Sequence, residues 1–369
     1  MSTFLNPSIE RMSAYVPGEQ PRDKAYIKLN TNENPYPPAP SVVAAMTAAE
    51  LEDLRLYSDP TAKVLKEKLA GLYGLKPENI YVGNGSDEVL YFLFLAYGQR
   101  GAAFPDISYG FYSVFAEFCG IPATVIPLEE DLTLDAKKYQ GLNRLIVIAN
   151  PNAPTGLSIS LSDIEGILKT NSDAWVAIDE AYVDFGGESA YPLMAKYGNL
   201  IVVRTFSKSR SMAGARLGYA LGPAALIADL EKIKYATNPY NVNRMTLLLG
   251  QATVDAEPYY QEKCAAIIRT REDTARKLRD LGFTVIPSRT NFLFVKTDKM
   301  GGEDLYKKLK DRGILVRHFS NPRISDYIRV TIGTDEQMAV CIAAIGAILE
   351  ECVREPRRSP AGLRKRILC

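Results

Sequence analysis

Three short, mostly apolar runs in the middle of the chain predict buried strands, and polar residues follow each of them. The runs cover residues 144–150, 175–178 and 200–203, and their composition is typical of strands that are covered on both faces. The segments between them are long enough for crossover helices, which favours parallel pairing. Because open parallel sheets bind ligands at the carboxyl ends of their strands, the pattern predicts an α/β protein with a site at that edge.

The remaining pattern divides the chain into four parts. Turn-forming residues over 1–32 predict an N-terminal arm, and residues 33–255 predict a large α/β domain with a mostly parallel central sheet. Residues 256–352 predict a smaller α/β domain, and the basic tail over 353–369 is expected to be solvated and partly disordered. The predicted helices lie near 60–73, 89–97, 259–281, 303–312 and 336–352, the last capped by Thr334 or Asp335, and further strands lie near 283–285, 291–296 and 327–331.

Composition narrows the class of protein only slightly. The 369 residues are enough for two domains, and a net charge of +1 gives no indication of a nucleic acid or a membrane surface as a partner. The first residues lack the cationic start and apolar block of a signal peptide, and no run approaches the length of a membrane span. One histidine and five cysteines without a CxxC pair argue against a metal site and suit a reducing, cytoplasmic location.

An amide, a carboxylate and a lysine follow the three apolar runs, and pyridoxal phosphate chemistry uses this set. Lys208 can bond through its amine to the aldehyde of the cofactor, and Asp179 can keep the pyridine nitrogen protonated so that the ring accepts electrons. The amide of Asn152 can donate to the phenolate oxygen of the ring, a task that Tyr182 can share. The three strand ends are therefore expected to converge on one crevice.

Two further segments can hold the phosphate of such a cofactor. Ser207 and Arg216 lie on either side of Lys208 and offer a hydroxyl and a forked guanidinium. Upstream, YVGNGSDE (81–88) predicts a short strand that passes through two glycines into an apolar helix. Ser86, or Gly85 with it, would cap that helix, whose free N–H groups would bind an anion.

Seven blocks of sequence occur in one order over about residues 10–350. They resemble those of the fold-type I, class I/II pyridoxal-phosphate-dependent aminotransferases, and most closely those of the histidinol-phosphate aminotransferase family. The resemblance implies pyridoxal 5′-phosphate as cofactor, a large domain with a smaller α/β domain, and a cytoplasmic homodimer. The blocks are LNTNENPYPP (29–38), LYSDP (56–60), GNGSDE (83–88), NPNAPTG (150–156), DEAYVDF (179–185), RTFSKSRSMAGARLGY (204–219) and IRVTIGT (328–334).

The resemblance also implies roles for single residues. Tyr109 would stack on the pyridine ring, and Tyr57 would reach the cofactor phosphate of the other subunit, although Leu56 stands where the family usually has an arginine. Arg329 would clamp the anionic end of the substrate, with Arg317 as a candidate second contact. The implied catalytic residues are Lys208, Asp179 and Tyr182; the cofactor-binding residues add Gly85, Ser86, Asp87, Tyr109, Asn152, Ser207, Arg216 and Tyr57; and the substrate residues are Tyr15, Asn32, Arg317 and Arg329.

Amino transfer between histidinol phosphate and 2-oxoglutarate, in histidine biosynthesis, is the leading interpretation. An aromatic amino-acid aminotransferase is the alternative, because the two kinds of enzyme look alike. Threonine-phosphate decarboxylase shares the fold, but residues 29–38 and the TFSK block differ from its pattern. A cofactor-binding regulator would need a fused DNA-binding domain, for which the arm before residue 33 is too short. Neither His318 nor the tail is assigned a role.

Overall fold

The structure of the chain is a computed structural model that describes residues 4–5, 7–10, 12, 15 and 17–354. Apart from its first two residues, the predicted tail over 353–369 lies outside the described residues. The strands are β1 Ile27–Lys28, β2 Ile80–Gly83, β3 Ala102–Pro105, β4 Ala123–Ile126, β5 Leu145–Ala149, β6 Val176–Asp179, β7 Leu200–Thr205, β8 Gly218–Leu221, β9 Thr284–Val285, β10 Phe292–Lys296, β11 Ile314–Leu315, β12 Arg317–His318 and β13 Ile328–Thr331.

The described helices surround these strands. None of them combines the length and the apolar character that a membrane span requires. The helices are α1 Pro7–Glu10, α2 Pro40–Ala44, α3 Ala48–Glu52, α4 Lys63–Tyr73, α5 Ser86–Tyr97, α6 Phe111–Phe118, α7 Leu161–Thr170, α8 Ala224–Thr237, α9 Arg244–Asp255, α10 Glu257–Asp280, α11 Gly302–Asp311 and α12 Asp335–Arg354.

The three apolar runs form the centre of the larger sheet. The described strands of this sheet lie in the order β2-β8-β7-β6-β5-β3-β4, and β5, β6 and β7 pair in parallel, as predicted. All their residues are buried, because helices cover both faces. The register places Ala149 beside Asp179 and Asp179 beside Val203, so the strand ends meet at one edge. β8 runs antiparallel to β7 and returns the chain past that edge.

A second, antiparallel sheet in the order β12-β13-β10-β9 packs with α10, α11 and α12. The end of the predicted N-terminal arm joins this part of the molecule, since β1 pairs in parallel with β11 and Leu29 is buried in the same apolar cluster. The domain boundaries themselves stay a prediction. Residues 29–34 then cross from this smaller sheet to the edge of the larger one, where Asn34 donates to the carbonyl of Lys208 at 3.1 Å.

Helix limits agree with the prediction within about three residues. α4 begins at Lys63 rather than near residue 60, because the Asp59 carboxylate accepts hydrogen bonds from the Thr61 and Lys63 backbone N–H groups just before it. α5 begins at Ser86 rather than near residue 89, since its polar first turn hides the apolar periodicity there. Thr334, the first of the two expected caps, accepts a hydrogen bond from the N–H of Gln337 at the start of α12.

Candidate active site

A cavity of about 160 Å³ lies at the carboxyl ends of the parallel strands, where the sequence predicts the site. Residues from both halves of the larger sheet and from the segment that crosses over from the smaller one line it. The predicted residues among them are Ser86, Asp87, Tyr109, Asp179, Tyr182, Ser207, Lys208 and Arg216, and Thr31, Glu33, Ala149, Ala153, Ala181, Thr205 and Ala213 complete the lining.

Asp179 is the last residue of β6, and its carboxylate is buried at 5% exposure. It accepts hydrogen bonds from the Tyr112 hydroxyl at 2.8 Å and from the Ala181 N–H at 3.2 Å. None of its described partners is a cation, and burial, with the charges of Asp87 and Glu180, raises its pKa to about 6. A buried carboxylate in this state favours a positively charged partner. A protonated pyridine nitrogen has the required charge, so the cavity fits the expected cofactor at this end.

Lys208 follows β7, is partly buried and lines the same cavity. Its Nζ donates to the carbonyl of Thr31 at 3.3 Å and lies 5.9 Å from the centre of the Tyr182 ring. The Asn34 amide donates to the backbone carbonyls of Lys208 and Ser209, which fixes the loop that carries the amine. The amine is thus held at the cavity by main-chain groups rather than by an ion pair.

The loop between β2 and α5 and the loop after Lys208 form an anion cup, defined here as Gly85, Ser86, Ser207 and Arg216. Gly85 has φ +79°, and a side chain there would place Cβ 2.6 Å from Arg216 Nη2, so the close approach requires glycine. A Cβ at Gly218 would lie 2.3 Å from the Ser86 nitrogen, because β8 supports the first turn of α5 directly. Free N–H groups, a hydroxyl and a guanidinium in one cup can hold a phosphate.

Asp87 joins the anion cup to the predicted ring-stacking residue. Its carboxylate accepts hydrogen bonds from the Tyr109 hydroxyl at 2.7 Å and from Arg216 at 2.9 Å. Burial, together with the charge of Asp87, raises the pKa of Tyr109, so this phenol stays protonated as a donor. Tyr182, on the facing side, accepts a hydrogen bond from the Asn32 amide at 2.8 Å.

Asn152 lies just outside the lining of the cavity. Its amide donates to the carbonyl of Ile107 and to the Thr155 hydroxyl, both at 3.0 Å, and its oxygen accepts from Ser108 at 2.7 Å. Both amide hydrogens of Asn152 therefore already have acceptors within the chain. A hydrogen bond from Asn152 to a cofactor oxygen stays a prediction.

All four predicted substrate residues line a second cavity that shares Lys208 and Tyr182 with the first; they are Tyr15, Asn32, Arg317 and Arg329. The Arg329 guanidinium lies between the rings of Phe292 and Phe319, at 5.1 and 5.5 Å from their centres. One of its nitrogens donates to the Asn30 carbonyl at 3.1 Å, and its buried Nε has no described hydrogen-bond partner. Burial lowers the pKa of Arg329, and the charge of Arg317 lowers it further. An anion bound between the two arginines would compensate the charge of each.

Tyr57 does not line the cavity of its own chain. Its side chain is 80% exposed and stacks on Tyr240 with ring centres 4.4 Å apart. Leu51, Leu54 and Leu56, which precede it in the sequence, are each about half exposed, so this segment presents several apolar side chains to solvent.

The sequence reasoning missed three residues of the segment that crosses the site: Thr31, Glu33 and Asn34. Burial by itself would raise the pKa of Glu33, but hydrogen bonds from Lys28 and Thr31 and the charge of Lys208 hold it below its ordinary value. Glu33 therefore adds a negative charge on the lysine side of the cavity. All three residues belong to the block LNTNENPYPP (29–38), from which the sequence analysis assigns a role to Asn32 alone.

Comparisons with known proteins agree with this geometry. The family model described as aminotransferase class I and II matches residues 24–345. The histidinol-phosphate aminotransferase of Brachyspira hyodysenteriae is 48% identical over 95% of this chain and 100% of its own length, and that of Marinomonas sp. is 49% identical over 94% and 99%. The structure of histidinol-phosphate aminotransferase from Sinorhizobium meliloti, in complex with pyridoxal-5′-phosphate, has a similar fold, with a TM-score of 0.82 and 24% identity over 96% of this chain and 98% of that one.

Proposed function

Because this chain belongs to the class I and II aminotransferases and, within them, to the histidinol-phosphate aminotransferase family, we propose that it transfers an amino group between histidinol phosphate and 2-oxoglutarate in histidine biosynthesis. Its cofactor is pyridoxal 5′-phosphate. The observation that carries the proposal is the cation-free carboxylate of Asp179 in the same cavity as Lys208 and the anion cup. Amino transfer with this cofactor needs all three groups around one small space.

When bound, pyridoxal phosphate supplies an aldehyde to which amines bond and a ring that accepts electrons from the substrate carbon. The anion cup would hold the phosphate, and Asp87 keeps Arg216 and Tyr109 in place beside it. Asp179 would hold a proton at the ring nitrogen, since the carboxylate then gains the positive partner that it lacks. Tyr109 would lie against the ring.

Lys208 Nζ, as a free amine, would be the base that moves the proton at the substrate carbon. The Thr31 carbonyl keeps this amine at the cavity while it is free. On the far side, Arg329 and Arg317 would bind the anionic end of the substrate, and Tyr15 and Asn32 would close over it. Glutamate and histidinol phosphate both carry an anion at that end, so one pair of arginines can serve both.

A homodimer is part of the proposal. The exposed apolar side chains of Leu51, Leu54, Leu56 and Tyr57 support it, because several exposed large apolar side chains in one segment are typical of an interface. Tyr57 would then reach the anion cup of the other subunit. A cytoplasmic location is also proposed, and the free thiols of the four described cysteines, Cys119, Cys264, Cys341 and Cys352, support it.

A screen of half-reactions tests the proposal. The cofactor-loaded protein is titrated with histidinol phosphate, phenylalanine, tyrosine and glutamate, and conversion of the cofactor to its amine form is followed by absorbance. We expect histidinol phosphate and glutamate to convert it with the highest kcat/KM. Preference for the aromatic amino acids would support the alternative aminotransferase instead. Release of carbon dioxide without conversion would contradict amino transfer altogether.

A further inference from the structure

A largely buried group of four charged side chains and one hydroxyl lies beside the cavity without lining it. We call it the Arg204 network, and its members are Glu180, Asp184, Arg204, Ser209 and Arg210. We propose that these are positioning residues, which hold Asp179 and Lys208 at the separation that the reaction requires. The inference rests on the proposed function, since it concerns how that site is kept in order. Four of the five residues are at most 10% exposed, and the Asp184 side chain is 28% exposed.

The first half of the network anchors the Asp179 side. Glu180, the residue after Asp179, accepts hydrogen bonds from Arg204 Nε at 3.0 Å and Nη2 at 2.8 Å. The same carboxylate accepts from the Ser189 hydroxyl and from the Ala190 N–H, both at 2.6 Å. Its side chain is fully buried and fully partnered. The backbone that carries Asp179 is therefore fixed one residue away from the reacting carboxylate.

The second half anchors the Lys208 side. Asp184 accepts from the same Arg204 at 3.2 Å and from the Ser209 hydroxyl at 2.5 Å. Ser209 directly follows Lys208, and Arg210 after it pairs with Glu257 at the start of α10, with 2.9 Å between Nη2 and Oε2. One guanidinium thus links, through two carboxylates, the residue after Asp179 to the residue after Lys208.

The geometry is rigid for a physical reason. Removing one partner of a buried ion pair leaves an uncompensated charge, so alternative arrangements of Arg204, Glu180 and Asp184 are costly. Burial by itself would raise the pKa of Asp184, but Arg210 and Arg204 hold it below its ordinary value, so the pair stays ionised. The Asn34 amide fixes the Lys208 carbonyl from the other side. A shift of about 1 Å in a reacting group can lower the rate roughly 100-fold, so such anchoring bears directly on turnover.

A second buried ion network provides a matched control. Glu231 on α8 pairs with Lys66 and with Lys234, and the three side chains are 20%, 14% and 2% exposed. None of them lines either cavity. Removing the charge of Glu231 should destabilise the fold much as removing that of Asp184 does, without touching the residues next to Asp179 or Lys208.

The test compares Asp184→Asn, Ser209→Ala and Glu231→Gln with the wild type as full-length holoproteins. The measurements are Tm, kcat and KM for histidinol phosphate, and the pH titration of the absorbance of the bound cofactor. We expect Asp184→Asn to lower kcat by about 10-fold or more with KM changed less than about 3-fold, and to displace the midpoint of the titration. Ser209→Ala should cause the same changes to a smaller extent. Glu231→Gln should lower Tm and leave kcat and the midpoint unchanged.

The proposal is overturned if Asp184→Asn keeps the wild-type midpoint and kcat, or if Glu231→Gln shifts both equally at a similar loss of Tm. If Asp184→Asn does not fold, Ser209→Ala decides, since it removes a single oxygen atom; an unchanged midpoint in that variant then overturns the idea. The titration needs only bound cofactor and no substrate. A wild type that fails to convert histidinol phosphate would therefore contradict the proposed function while the network is still tested.

Discussion

The cofactor cavity and the Arg204 network lie beside the same two strand ends, but they treat charge in opposite ways. Asp179 and Glu180 are consecutive buried carboxylates, yet Glu180 has Arg204 within 2.8 Å and Asp179 has only a phenol and an N–H. In the network every charge has a partner within the chain. In the cavity, Asp179 would accept a cationic group of a ligand, and the anion cup would accept an anionic group of the same ligand.

This difference shows which charges of the site are compensated by the chain itself and which are left to a ligand. The network is complete without a ligand, so it can order the strand ends in the free protein. The uncompensated charge of Asp179 destabilises the apoprotein. When the cofactor supplies a positive partner, the removal of this cost contributes to the binding free energy. A change in the cavity should therefore lower activity with little loss of stability, whereas a change in the network should lower both.

The largest expected effect is on activity and comes from the cavity. Lys208→Ala should reduce turnover by roughly 10⁴-fold, because it removes both the covalent attachment and the base. The free energy of unfolding should change little, since among the described residues the amine makes one hydrogen bond, to a main-chain carbonyl. Steady-state kinetics and urea unfolding measure the two quantities, and borohydride should no longer fix the cofactor to the chain. Turnover near the wild-type rate would remove Lys208 from the mechanism.

The matching change in the network should lower stability as well as activity. Arg204→Met leaves Glu180 buried without its cation and leaves Asp184 with Arg210 alone, so we expect the free energy of unfolding to fall by about 3–5 kcal/mol. Urea unfolding of the apoprotein at neutral pH is the measurement. Lys196→Met, which removes an exposed partner of Glu165, is the control and should change the free energy of unfolding far less, because solvent screens an exposed ion pair. Equal losses in the two variants would contradict the distinction drawn here.

Asp179→Asn should move activity and stability in opposite directions. The amide stabilises a positively charged ring nitrogen poorly, so the activation free energy of proton abstraction should rise by roughly 3 kcal/mol. In the apoprotein, however, the variant should be the more stable one. Burial raises the folded-state pKa of Asp179 to about 6 from its ordinary 3.8, so the folded wild type loses stability as the pH rises between these values.

At about 1.4 kcal/mol per pH unit, the full loss is roughly 3 kcal/mol above the folded-state pKa. The difference in unfolding free energy between apo Asp179→Asn and apo wild type should therefore be near zero at pH 4 and reach that value at pH 7. Chemical denaturation at a series of pH values measures it. A difference that does not depend on pH would show that the carboxylate is not carrying an uncompensated charge.

Arg329→Lys should have a smaller effect, confined to the substrate. Lysine keeps the charge but lacks the forked guanidinium that lies between Phe292 and Phe319. The transition-state stabilisation in each half-reaction, measured as kcat/KM, should therefore fall by roughly 1.5–3 kcal/mol. Arg317→Ala should act unequally and reduce the reaction of histidinol phosphate more than that of glutamate. Single-turnover kcat/KM for each half-reaction gives both numbers. An unaffected glutamate reaction in Arg329→Lys would mean that Arg329 is not the shared anion contact.

The sequence predicted the parts of the site that depend on strand order. Buried runs followed by Asp179 and Lys208 were enough to place both at one edge, because parallel strands leave little freedom there. It did not predict that Thr31 and Asn34 hold Lys208 and its loop, since these contacts join residues more than a hundred positions apart in sequence. Nor could it show that the Asn152 amide is already used by Ile107 and Thr155, which depends on the folded path of the loop.

The support of α5 by β8 also sets an order of assembly during synthesis. β2, which leads into α5, pairs with β8, a strand that is translated much later. Asp87 and Arg216, which join across the anion cup, are 129 residues apart in sequence. A loop of that length must close before the pair can form, so the cup does not exist on a nascent chain that still has β8 inside the ribosome. Cofactor capture by ribosome-bound chains should therefore begin only after β8 has emerged, and it would mark the moment at which the large sheet is complete.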